Sequence, residues 1–355
     1  MKKILLCLLI ITGCDLFKNE NADTDESNSI IPNRTVYIVG SDEEGACYWV
    51  NGSRRELPGG DWATDIVVID GDVYISGTCG GNACYWINQE RFDLPGSWGE
   101  GEAIAVDGEN VYVAGWFENG SCYWENGNQI TLTTNRDSQA FAIGVRNNGD
   151  VYIGGYYMNN DHYYVPCFWK NGNNRTNLPA AEDGEVNDIT FDESGNMRYY
   201  AGYTTQLDNF SGYPPKACYW RHTNRTDLPL GGSSMDIYGS YAHGITIDGE
   251  DIYLAGYTNQ YEFTNEEETS GGDFPQYWKN GSIYDLEGGP MTEFGTGIAY
   301  DIKVSDGNII VVGIATIGPN YNDSGESACY WLNGQLHYIE DTKGISSKAK
   351  GVFIQ

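Results

Sequence analysis

The sequence predicts an all-β fold, a seven-bladed β-propeller of four-stranded antiparallel blades, on three observations. A segment of the form Val-Tyr-Ile-x-Gly recurs seven times, beginning at Val36, Val73, Val111, Val151, Arg198, Ile252 and Ile309. Each copy is followed by Cys-Tyr-Trp or a close variant, with its indole at Trp49, Trp86, Trp124, Trp169, Trp220, Trp278 and Trp331. Each unit is 37 to 57 residues long and holds four short strand-like segments, which is the size of one propeller blade. Composition agrees. Among 355 residues, 27 tyrosines, 10 tryptophans and 46 glycines favour short strands and tight turns over helices, and 40% hydrophobic content excludes a disordered chain.

Taken in order, Val-Tyr-Ile-x-Gly reads as the second strand of a blade and Cys-Tyr-Trp as the third, with an Asn-Gly turn usually following. The outermost strand comes next and often ends in Leu-Pro, as at Leu57-Pro58, Leu94-Pro95, Leu178-Pro179 and Leu228-Pro229. The innermost strand has the pattern small, any, small or Asp, Ile or Val, any, apolar: Ala63 to Val68, Gly101 to Val106, Ala140 to Val145, Val186 to Phe191, Ala242 to Ile247, Ala299 to Val304 and Ala349 to Ile354. Small side chains are expected there because blades crowd together near the axis. Dipeptides such as Asp70-Gly71, Asp107-Gly108 and Asp306-Gly307 then close a two-residue hairpin, since a left-handed backbone suits a twisted loop. On this phase the chain enters at the second strand of blade 1, and Ala349 to Gln355 supplies that blade's missing innermost strand. The ring is thereby closed and has no open edge.

The repeated tryptophans are expected to pack between adjacent blades. The repeated cysteines Cys47, Cys84, Cys122, Cys167, Cys218 and Cys329 read as small buried side chains with free thiols, too far apart to bridge one another. Cys79 is the exception: it lies five residues from Cys84 across a short loop, which leaves a local disulfide open.

The repeat unit, Val-Tyr-[Ile/Val]-x-Gly, Ala-Cys-Tyr-Trp-x-Asn-Gly and x-Leu-Pro, resembles propeller-type repeats of bacterial surface and secreted lipoproteins, including the extracellular HAF-type repeats. The likeness spans residues 35–355. It implies a fold and a location, and no chemistry.

The start of the chain reads as an address. Lys2 and Lys3 precede the apolar run Ile4 to Ile11, which is too short to span a bilayer. Ile11-Thr12-Gly13-Cys14 resembles the lipobox of bacterial lipoproteins, which implies lipidation at Cys14 and cleavage before it. The expected organisation is a signal peptide over 1–13, a lipidated cysteine and disordered tether over 14–34, and the propeller over 35–355. The lipid would be the whole membrane anchor, with the protein exported and held at a cell-envelope membrane, the outer membrane or cell surface being favoured.

A net charge of −30 opposes nucleic-acid backbones and anionic bilayer surfaces. Function in a repeat protein is expected where the repeat breaks. The connection between second and third strands has 6, 6, 6, 11, 15, 19 and 15 residues along the seven blades, so one face is raised over blades 4 to 7. Exposed aromatics on that face suit stacking on sugars or peptides, and the candidate ligand contacts are Trp62, Trp98, Trp116, Tyr156, Tyr157, Tyr163, Tyr213 and Tyr261. Asp65, Asp188 and Asp301 share one position in three inner strands, with Glu102 and Asn187 nearby by the same alignment. They are candidates for a calcium site or for acid–base chemistry on a glycosidic bond, or they simply satisfy loop amides. No nucleophile motif, phosphate loop or zinc spacing is present, and no other cofactor is expected. The leading expectation is a monomeric, non-enzymatic binding module for a glycan or protein ligand. The alternatives are a carbohydrate-active propeller enzyme using channel-mouth carboxylates, and a structural envelope scaffold.

Overall fold

The computed structural model describes residues 29–134, 137–205, 214–230, 236–264, 267–288, 296–316, 325–339, 342–343 and 345–355. The expected signal peptide and Cys14 lie outside the described residues, as does Tyr213; Tyr261 is described in its backbone alone. The described strands form seven four-stranded sheets, each with its strands in antiparallel order from the axis outward. In blade 2 these are Trp62–Ile69, Asp72–Cys79, Asn82–Ile87 and Glu90–Asp93. Blade 1 contributes Val36–Asp42, Gly45–Val50 and Ser53–Glu56, and its innermost strand is Lys348–Ile354, paired antiparallel to Val36–Asp42. The chain is a seven-bladed β-propeller closed by its own C-terminus.

The repeat residues each have a physical use. The seven Cys-Tyr-Trp indoles are at most 1% exposed, each wedged between one blade and the next. Five of them donate Nε1–H to a carbonyl at the end of the preceding blade: Trp86 to Pro58, Trp124 to Pro95, Trp220 to Pro179, Trp278 to Pro229 and Trp331 to Glu287, at 2.6–3.4 Å. The Leu-Pro ending therefore presents a buried leucine to the wedge and a carbonyl to the neighbour's indole. The turn asparagines Asn51, Asn88, Asn126, Asn171, Asn280 and Asn333 take positive φ of 47–53°, and each side-chain oxygen accepts the first amide of the second strand at 2.8–2.9 Å. That double role selects asparagine at the turn.

Three expectations change. Ile30 and Ile31 belong to the propeller rather than to the tether: Ile31 is 1% exposed and packs with Ile310, Ile339 and Val352, while Arg34 pairs with Asp306 at 2.7 Å. A segment rich in Asn, Asp, Glu and Ser carries near its end the two apolar residues that cap the closing joint. Cys84 does not keep a free thiol: it is bonded to Cys79, with 6.0 Å between the Cα atoms. Gly80 and Gly81 turn the hairpin tightly enough to bring the two together, whereas the buried cysteines of blades 1, 3, 4, 5 and 7 have no second cysteine on the adjoining strand and are free. The long insertion of blade 6 is a strand pair rather than a loop, Asp251–Thr264 running back through Glu267–Lys279.

Candidate functional site

Every inner strand contains a β-bulge at the same place. Register jumps from Ala63 to Asp65, Gly101 to Ala103, Ala140 to Ala142, Val186 to Asp188, Ala242 to Gly244, Ala299 to Asp301 and Gly351 to Ala349, leaving one unpaired residue in each blade. The glycine that ends each Val-Tyr-Ile-x-Gly segment permits this. A Cβ at Gly115 would lie 1.9 Å from the Glu100 carbonyl oxygen, and the equivalent glycines Gly40, Gly77, Gly155, Gly202, Gly256 and Gly313 would meet a carbonyl at 1.8–2.3 Å. The bulged residues are Thr64, Glu102, Phe141, Asn187, His243, Tyr300 and Lys350, and all seven line one axial cavity of about 110 Å³. A position that reads as unconstrained in the repeat is thus the one that converges on the axis, with seven different side chains.

Beneath this ring lies a charged hub. Asp65 accepts the amides of Ile66 (2.8 Å) and of Ile104 in blade 3 (2.9 Å), and Asp188 those of Ile189 (2.7 Å) and of Ile245 in blade 6 (2.8 Å). Asp301 accepts those of Ile302 (2.7 Å) and of Val352 in blade 1 (3.0 Å). Each carboxylate therefore ties its blade to the next. Lys303 pairs with Asp301 at 2.9 and 3.1 Å, and the attraction of all three carboxylates outweighs burial to raise its pKa. Burial, with smaller contributions from neighbouring charges, pushes Asp65 up to about 6 and Asp188 up to about 7. Among the described residues no group of three or more His, Cys, Asp or Glu is arranged to hold a metal ion. An ammonium, two residues along the strand from Asp301, supplies a positive charge at this hub.

Around the ring the walls differ. Glu102 accepts the Trp116 indole N–H at 3.3 Å and shares a hydrogen bond with Glu100; burial and then the Glu100 charge push its carboxyl up to about 7. Phe141 packs on Tyr156 with ring centroids 5.8 Å apart, and Tyr156 on Tyr164 at 4.8 Å. In blades 5 and 6, Tyr203 meets Tyr241 edge-on, and Tyr241 stacks on Tyr257, which stacks in turn on His243. Tyr300 carries the Lys350 ammonium over its face, 3.5 Å from the ring centre. The cavity thus has a carboxyl side, an aromatic wall and a cationic corner.

Of the aromatics singled out in the sequence, Tyr156 and Trp116 reach this cavity's surround, through Phe141 and Glu102 respectively. Tyr157 packs instead against the Arg175 guanidinium, 3.4 Å from its ring centre, and accepts Asn177 Nδ2–H at 3.0 Å. Trp62, Trp98 and Tyr163 remain exposed at 47%, 75% and 38%, and Trp98 holds φ of 51°. Glu102 and Asn187 were legible by alignment with the aspartates. Thr64, Phe141, His243, Tyr300 and Lys350 were not, and the signal that could have found them is seven unlike residues at one repeat position facing an invariable glycine.

No protein-family model and no curated protein matches the chain. Solved structures do. A puromycin hydrolase is 9% identical, covering 87% of this chain and 52% of its own, with a TM-score of 0.53. The acylaminoacyl peptidase of Pyrococcus horikoshii is 12% identical over 87% of this chain and 51% of its own, TM-score 0.48. The extracellular domain of a one component system from B. thetaiotaomicron is 10% identical over 79% of this chain and 37% of its own, TM-score 0.45. The likeness is one of fold alone. The chain spans about half, or less, of the length of these proteins.

Proposed function

We propose that the chain is an exported binding module that takes a glycan at the axial cavity, on the face raised over blades 4 to 7. The observation that carries this reading is the bulged ring: a fold that repeats its cores, turns and caps seven times sets seven unlike side chains around an axial cavity. Hydrogen-bonding groups at Glu102 and Asn187 beside the Phe141–Tyr156 aromatic wall suit a sugar ring, which offers hydroxyls at its edge and C–H groups on its faces. The test is a glycan array on the full-length protein, followed by calorimetric titration of the glycan that binds. Tyr156→Ala, which removes the support of Phe141, is expected to weaken that affinity by about tenfold, or roughly 1.4 kcal/mol, with no new thermal transition. Unchanged affinity would remove the cavity from the account.

The same reading places the protein at a cell-envelope membrane through a lipid on Cys14, supported by the lipobox-like Ile11-Thr12-Gly13-Cys14. Cys14→Ala is expected to move the protein from the membrane fraction to the soluble fraction and to remove a diacylglyceryl mass from its N-terminal peptide. A membrane-bound Cys14→Ala protein would contradict the anchor.

A further inference from the structure

The cationic corner of the cavity has no hydrogen-bonded counter-ion among the described residues. Lys350 lines the cavity over the Tyr300 face, half-buried, and its ammonium makes no hydrogen bond or ion pair among the described residues. Beside it, His243 also rests on Tyr300, with centroids 5.5 Å apart, and its Nε2 is sealed from solvent without a hydrogen-bond partner. An ammonium resting on a ring face, with no hydrogen-bonded anion, keeps its N–H donors free for a ligand. The fold does not require it, because the same bulge position accepts Thr64, Phe141 and Tyr300 in other blades. Two unfilled nitrogens on one tyrosine ring, in a chain whose acids outnumber its bases 50 to 20, mark a place kept for a ligand anion.

Resting on the glycan reading above, we infer that the cavity takes an acidic sugar, a hexuronate residue whose carboxylate sits between Lys350 and His243 while Glu102 accepts its hydroxyls. A planar carboxylate has two oxygens for the two nitrogens. The Phe141–Tyr156 wall on blade 4 offers the ring an apolar face. The net charge of −30 opposes a dense polyanion, so the site is suited to a chain end or a single uronate in a sparsely charged polysaccharide. The charged groups acting on Lys350 are Lys348, Glu102, Glu326 and Glu100; burial and then Lys348 bring its pKa down to about 8. Burial, with help from Lys350, holds His243 down to about 3, so its imidazole is neutral and able to donate one N–H.

The experiment is calorimetric titration of the full-length protein with galacturonate, glucuronate and mannuronate trisaccharides, each beside its carboxyl-reduced neutral counterpart. At least one acid trisaccharide is expected to bind about 30-fold or more tightly than its neutral partner at pH 7. That preference falls about tenfold between pH 7 and pH 9 as Lys350 loses its proton. Lys350→Met abolishes the preference while leaving the melting temperature unchanged or higher, because the mutation removes an unpartnered charge; Lys350→Arg keeps most of it. Equal binding of acid and neutral sugars, a preference that survives Lys350→Met, or a Lys350→Met protein that melts several degrees lower would each overturn the inference and leave the glycan site standing. Failure of every saccharide, acid and neutral, would overturn both.

Discussion

A chain lacking residues 349–355 should lose its cooperative melting transition and collect in the insoluble fraction. Those residues are the innermost strand of blade 1, and Ala349 and Val352 are at most 1% exposed in the wedge that joins the last blade to the first. Their removal exposes the edge of Val36–Asp42, strips Asp301 of the Val352 amide and opens the contact with Ile31. Five strand-register pairs and a buried wedge are lost together. The expected cost is at least about 5 kcal/mol, comparable to the whole stability of an ordinary domain. Free strand edges then pair between molecules. A truncated protein that stays monomeric with an unchanged transition would refute the closure.

Lys303→Met should destabilise the propeller in a pH-dependent way. At pH 8 the substitution leaves the half-buried carboxylates Asp65, Asp188 and Asp301 without their ammonium, and losing a charged hydrogen-bond partner in a partly solvated site costs about 1–3 kcal/mol. The pH dependence follows from the carboxyls. Asp65 and Asp188, at about 6 and about 7 when folded, both lie above the 3.8 of an ordinary aspartate. The folded chain therefore holds protons that the unfolded chain releases. Their contribution is full below about pH 4 and is lost as pH rises through 6 to 7. Without Lys303 those two values climb further, so the loss deepens and shifts upward. The gap between wild type and variant should narrow at pH 5, where Asp65 and Asp188 are protonated. Denaturant midpoints at pH 5 and pH 8 measure it, and a gap independent of pH would show that Lys303 acts by packing alone.

Much of this molecule could be read from its sequence because each repeated residue serves a repeated contact. Small residues before the Asp-Gly turns do mark the inner strand, the tryptophans do fill the wedges, and the final seven residues do close blade 1. What failed was tied to register. A bulge shifts pairing by one residue, and an alternating pattern carries no trace of the shift until the glycine opposite it is considered. Hence Lys350 and His243, which matter most at the axis, looked like filler between two small residues. Lys303 was missed for a related reason: the three aspartates aligned with one another across blades, while their common cation occurs once. The aromatics on the raised face were found by composition, but composition does not distinguish Tyr156, whose ring supports Phe141, from Tyr157, turned to the other side of the sheet against Arg175.

The central claim is that the axial ring, and not the exposed aromatics of the loops, forms the binding site. Titrating the same glycan into Tyr156→Ala and Trp98→Ala side by side tests it most directly. Tyr156→Ala should lose about tenfold in affinity, and Trp98→Ala, which removes the most exposed large aromatic among the described residues, should change it by less than about twofold. A tenfold loss at Trp98 with full affinity at Tyr156 would place the ligand on the loops and contradict the account.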